Sequence, residues 1–125
     1  MYSVTKNLKT NVWFFSSLII LTLCFSQHSK PQSSGETSFN QICKACHTIG
    51  GGRLVGPDLF NVQERRSEEW IVSFVKSSQS MINSGDSAAV TIYEEYNKTL
   101  MPDPLLSDAQ IADVLNYIIE QSSAG

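Results

Sequence analysis

The chain has 125 residues, nine basic against twelve acidic side chains for a formal charge of −3, and three cysteines. That length suits one domain, and a core so small leans on a disulfide, a metal or a large cofactor. The acidic balance argues against nucleic acid as a partner, and the cysteine count, with two of the three only three positions apart, excludes a multi-bridge disulfide framework.

Lys6 and Lys9 precede an apolar run from Val12 to Phe25, which has the length of a signal-peptide core and is short for a membrane span. Residues 1–26 are therefore expected to be an export signal cut after Ser26, with Cys24 and Ser26 as the small residues at alternate positions. Two alternatives stay open. The leader can remain as an uncleaved anchor, or Cys24 can be lipidated, since Leu21-Thr22-Leu23-Cys24 resembles a bacterial lipoprotein box with Leu23 where a small residue is wanted. All three put the domain in a periplasmic or otherwise extracytoplasmic place, and the last two tether it to the membrane. Loss of the leader would also remove two lysines and no acid. Residues 27–35 are polar with Pro31 and Gly35, show no apolar period, and are expected to be a flexible linker.

Residues 36–121 lack any alternating pattern long enough for a sheet, so the spacing predicts an all-α domain of about four helices. The first passes through Phe39, Ile42 and Cys43, taken as one apolar face, and ends near the helix-breaking Gly50-Gly51-Gly52. The second is capped by Ser67, has Glu68 and Glu69 at its positive end, and turns Trp70, Ile71, Phe74 and Val75 inward. A third begins at Asp86 and carries Ala89, Ile92, Tyr93 and Tyr96. The last starts with Ser107 and Gln110 as a capping box and repeats Ile111, Val114, Leu115, Ile118 and Ile119 at helical spacing, with 122–125 expected to fray.

The chemistry concentrates in Cys43-Lys44-Ala45-Cys46-His47. Two thiols at this spacing can each add to one of two neighbouring vinyl groups of a haem, and the next residue then brings an imidazole nitrogen to the iron. Covalent attachment also tethers a cofactor that so small a domain cannot engulf. A thioredoxin-like redox pair would need a βαβ neighbourhood, and a zinc site would need further ligands, yet the other Cys and His, Cys24 and His28, lie in the leader and linker. The motif therefore calls for one haem c, bonded through Cys43 and Cys46, with iron on His47.

A second axial donor has three candidates beyond the leader: Met81, Met101 and His28. Pro102 and Pro104 keep Met101 out of a helix, in an extended loop from which a thioether can reach the iron. Met81, near Gly85, is expected to fill a gap in the core, and His28 would require ordering a linker. Met101 is favoured over these and over an open site.

With these residues the chain resembles the class I c-type cytochromes, the small bacterial monohaem kind, over most of its mature length. The likeness rests on Cys43-Lys44-Ala45-Cys46-His47, Gly56-Pro57-Asp58-Leu59, Leu100-Met101-Pro102 and Leu115-Asn116-Tyr117-Ile118, in that order. It implies a fold of helices wrapped around the haem, with the Pro57 carbonyl on the far nitrogen of the His47 ring and Phe39 against Tyr117 between first and last helices. It also implies that Leu59, Trp70 and Phe74 line the pocket and that Arg65, Arg66 or Trp70 binds a propionate. The function implied is single-electron transfer between redox proteins, an oxidase, reductase or dehydrogenase, by a monomer that is not an enzyme. Alternatives are a haem-bearing subunit or module of a periplasmic dehydrogenase or reductase, and a catalytic or gas-binding haem should Met101 be off the iron.

Overall fold

The computed structural model describes residues 32–124. The leader, Cys24, His28 and most of the expected linker lie outside these residues. Among the described residues there are six α-helices and no strand, so the all-α class holds. No described helix is long and apolar enough to cross a membrane.

Helix α1 is Ser34–Ser38, started by Ser33, whose hydroxyl accepts the Glu36 N–H at 3.0 Å. It begins two residues before the expected boundary, so Ser34 and Gly35 are helix where a linker was expected. The reason is a close crossing: a Cβ on Gly35 would run into the Asp113 carbonyl and lie 3.1 Å from Tyr117 Cβ, and only glycine permits that approach. Ser34 Oγ adds a 2.7 Å hydrogen bond to Asp113 Oδ2.

Residues Phe39–Cys43 continue α1 as a π-helical turn, with Lys44 N donating to Phe39 O at 2.9 Å. This wider turn breaks the three- and four-residue stripe. Phe39 is buried, whereas Ile42 is 43% exposed, so Ile42 does not share the inward face expected of it.

Two short helices fall between the expected ones: α2, Val62–Arg65, and α4, Ser78–Asn83. The four expected helices correspond to α1 with its π turn, α3 (Glu68–Lys76), α5 (Ser87–Glu95) and α6 (Asp108–Ser123). Their starts obey local chemistry. Ser67 accepts Trp70 N at 3.3 Å, Asp86 accepts Ala89 N at 2.9 Å, and Ser107 forms the reciprocal capping box with Gln110.

The core sits where α6 meets α1 and its π turn. Val114 and Ile118 pack with Phe39, and Tyr117, Leu59 and Val62 close around them. The Phe39 and Tyr117 rings meet at 5.6 Å and 50°, a tilted pair of the kind worth about 0.5–1.5 kcal/mol beyond area burial. Ser122 does not fray. It is 7% exposed, donates to Ile118 O at 2.8 Å and accepts Asn61 N at 3.1 Å, so α6 is docked through its last turn onto the left-handed residue that precedes α2.

Candidate functional site

The π turn delivers the reactive pentapeptide. Cys46 N and His47 N both donate to Cys43 O at 3.0 Å, which coils the segment tightly after the helix and turns Cys43, Cys46 and His47 onto one wall of a cavity of about 510 Å³. That volume falls in the range of about 300–1,000 Å³ typical of cofactor sites. Both cysteines are free, and burial first, then the neighbouring Cys46, pushes the Cys43 thiol above its ordinary pKa.

The loop after His47 folds back over its ring. Gly56 N donates to Cys46 O at 2.8 Å and Leu59 N to Thr48 O at 2.8 Å. Asp58 staples this loop by accepting Gly50 N and Phe60 N, each at 2.8 Å, and Gly52 N. Burial alone would raise the Asp58 pKa, but the N–H groups of Phe60, Gly50 and Gly52 outweigh it and hold the carboxyl below its usual value. The fold so formed puts Pro57 O 2.9 Å from His47 Nδ1. A carbonyl only accepts, so Nδ1 carries the proton and the Nε2 lone pair is left free for a metal. Gly56 lies flat against the same ring: a Cβ there would come 2.5 Å from Cε1 and 2.9 Å from Nδ1.

Met101 lies in the cavity lining with its neighbours Leu100 and Pro102. Ser78 Oγ donates to Met101 O at 2.8 Å. Met81 is absent from the lining; it sits in α4 while its neighbour Ile82 faces the cavity. The expected site residues Cys43, Cys46, His47, Pro57, Leu59, Trp70 and Met101 all line this one cavity, and Phe74 joins them.

The three anion-binding candidates separate by their partners. Trp70 Nε1 is taken by the Asp86 carboxylate at 3.2 and 3.3 Å, and its ring stacks on Phe74 at 4.9 Å. Arg65 donates to Phe60 O at 2.5 Å and Asp58 O at 2.9 Å. Arg66 lies over the Trp70 ring at 5.3 Å and gives Nη1 to Arg65 O, but its buried Nε has no partner. A buried, unpaired cationic donor beside an apolar cavity suits an anionic edge on the occupant.

The residues fit a haem: two thiols and a free imidazole nitrogen on one wall, a thioether lining the same space, an apolar interior from Ile111, Val114 and Leu115, and an orphan cationic donor. Gly56, Asp58 and Ser78 contribute to the site without a role expected from the sequence, and Asp86, expected only as a helix start, also takes the Trp70 N–H. Gly56 stood next to a proline already singled out, while Ser78 lay in a serine-rich stretch with no signal at all. On the side of the cavity formed by the glycine loop, Arg53 bridges to α5, donating to Glu95 O at 2.8 Å with its guanidinium 4.1 Å from the Tyr96 ring centre.

The family profile described as Cytochrome c matches residues 32–122. A cytochrome c from Rhodothermus marinus is similar at 30% identity and a TM-score of 0.66, over 74% of this chain and 77% of that one. The cytochrome c domain of the pp3183 protein from Pseudomonas putida is similar at 31% identity and a TM-score of 0.63, over 71% and 88%. No curated protein is significantly similar to the chain.

Proposed function

The chain belongs to the cytochrome c family, haem-based electron carriers with a covalent haem c that the Cys43–Cys46 pair fits, and from that premise we propose a His47/Met101-ligated shuttle of single electrons. When bound, the haem supplies an iron that accepts and returns one electron. The chain's own residues do the rest. Cys43 and Cys46 would hold the group through their sulfurs, His47 Nε2 and the Met101 sulfur would be the donors to its iron, and Pro57 O keeps the imidazole in one tautomer and orientation.

A thioether and an imidazole as the two donors would favour the reduced state and raise the potential, while the apolar side chains of Ile111, Val114 and Leu115 in the lining would keep water away. Arg66 Nε, buried without a partner, would be the donor for a propionate. With His47 and Met101 both serving as donors, no open position would be left for a substrate, and the chain would pass electrons without making or breaking a substrate bond.

The observation that carries this reading is that Cys43, Cys46, His47 and Met101 line a single cavity while His47 has its outer nitrogen engaged by Pro57. The partners are proposed to be redox proteins, an oxidase, reductase or dehydrogenase, met outside the cytoplasm, where the leader pattern of residues 1–26 would send the chain. Absorption spectra of the ferric and ferrous holoprotein test the ligands. Met101→Ala should convert a low-spin, six-coordinate iron into one that binds carbon monoxide at neutral pH. An unchanged low-spin spectrum in that variant would remove Met101 from the iron.

A further inference from the structure

We propose that Ser78 is the positioning residue that holds the Met101 segment against the cavity and so governs how readily an outside ligand displaces it. The inference rests on the reading of Met101 as an axial donor.

Residues 100–105 lie in the connection from α5 to α6, with neither helix nor strand, and Leu105 at their end is fully exposed. Pro102 and Pro104 bring no N–H to the stretch. Among the described residues, one hydrogen bond ties 100–105 to the helical body, and it is Ser78 Oγ to Met101 O at 2.8 Å. Ser78 is only 1% exposed, so water does not compete for its hydroxyl.

The bond falls on the peptide carbonyl of the ligand residue itself. Fixing that carbonyl fixes the peptide plane beside the Met101 Cα, and with it the direction in which the side chain leaves the backbone. Ser78 is not among the residues lining the cavity, and its hydroxyl reaches it through the bond to Met101. A serine at the first position of α4 thus does for Met101 what Pro57 does for His47: it holds a donor from behind.

Without the hydroxyl, the carbonyl loses its partner and the segment its tether, and the closed arrangement should lose about tenfold in preference over an open one, equivalent to ~1.4 kcal/mol. The probe is imidazole, titrated into the ferric holoprotein and read in the absorption spectrum. Ser78→Ala should bind it about tenfold more tightly than the unaltered protein. Ser122→Ala, which also removes a buried hydroxyl but lies on α6 against Asn61, should melt lower without any change in imidazole affinity. Should Ser78→Ala fail to take up haem, Ser78→Cys, a weaker donor of similar size, carries the same titration.

Unaltered imidazole affinity in the Ser78 variant, or equal tightening in Ser122→Ala, overturns the positioning role. Met101→Ala separates the two readings. If its spectrum stays that of the unaltered protein, the axial assignment fails and this inference with it; if its spectrum changes while Ser78→Ala binds imidazole normally, only the role of Ser78 is lost.

Discussion

Replacing Gly56 by alanine drives a methyl group into the His47 imidazole. The new carbon would stand 2.5 Å from Cε1, 2.9 Å from Nδ1 and 3.1 Å from Nε2. Carbon atoms are comfortable at about 3.5–4.0 Å, so the ring has to retreat by about 1 Å. It is not free to do so, because Nδ1 is bonded to Pro57 O at 2.9 Å and Gly56 N is itself bonded to Cys46 O at 2.8 Å. Losing the Pro57 bond costs about 0.5–1.5 kcal/mol and the overpacking about 1–3 kcal/mol, which together centre near 3 kcal/mol. In a domain of this size each kcal/mol lowers Tm by about 4–8 °C, so a fall of roughly 12–24 °C is expected.

The control is Gly52→Ala, where φ is +82° but nothing lies within 4 Å of the added carbon. Left-handed strain alone costs about 1–2 kcal/mol there. Thermal melts of both holoproteins by circular dichroism, with electron paramagnetic resonance of the ferric iron, separate the cases: Gly56→Ala should melt lower and alter the axial field, and Gly52→Ala should leave that field intact. If Gly56→Ala melts no lower than Gly52→Ala and keeps the same resonance, the argument that the ring is wedged against residue 56 is refuted.

Gly35→Ala gives a second test, because in an isolated helix alanine is favoured over glycine by about 1 kcal/mol. Here the methyl meets the Asp113 carbonyl, so destabilisation of about 1–3 kcal/mol is expected in urea unfolding, and a higher midpoint would contradict the crossing of α1 and α6. A third concerns acid. The Asp58 carboxyl titrates lower in the folded chain than in the unfolded one, so the stability it contributes is present above about pH 4 and is lost as pH falls through the folded value. Asp58→Asn should therefore lower Tm more at pH 6 than at pH 3, and an equal loss at both would show that the carboxylate's charge is not what holds the loop.

Some of this protein is written in short stretches of its chain, because the forces involved act between near neighbours. The spacing of Cys43, Cys46 and His47 follows from the chemistry of attaching one flat group, and it is readable as text. Ser67, Asp86 and Ser107 cap the N–H groups three residues on, so the starts of α3, α5 and α6 are equally local. The stripe Ile111, Val114, Leu115 and Ile118 is a helical period and became the buried face of α6.

Other features depend on which surfaces meet. Nothing around Gly35 marks it as helical, since its role comes from a helix some eighty residues later that passes too close for a side chain. Ile42 kept the right spacing and still turned outward, because a π turn changed the period beneath it. Trp70 looked like a donor for the cofactor until Asp86, sixteen residues away, took its N–H. Ser78 with Met101 and Ser122 with Asn61 are matched across 23 and 61 residues. Sequence fixes what a hydroxyl or an indole is able to bond; packing fixes which partner reaches it first, and an unpaired buried group is costly enough that the choice is decided by the fold.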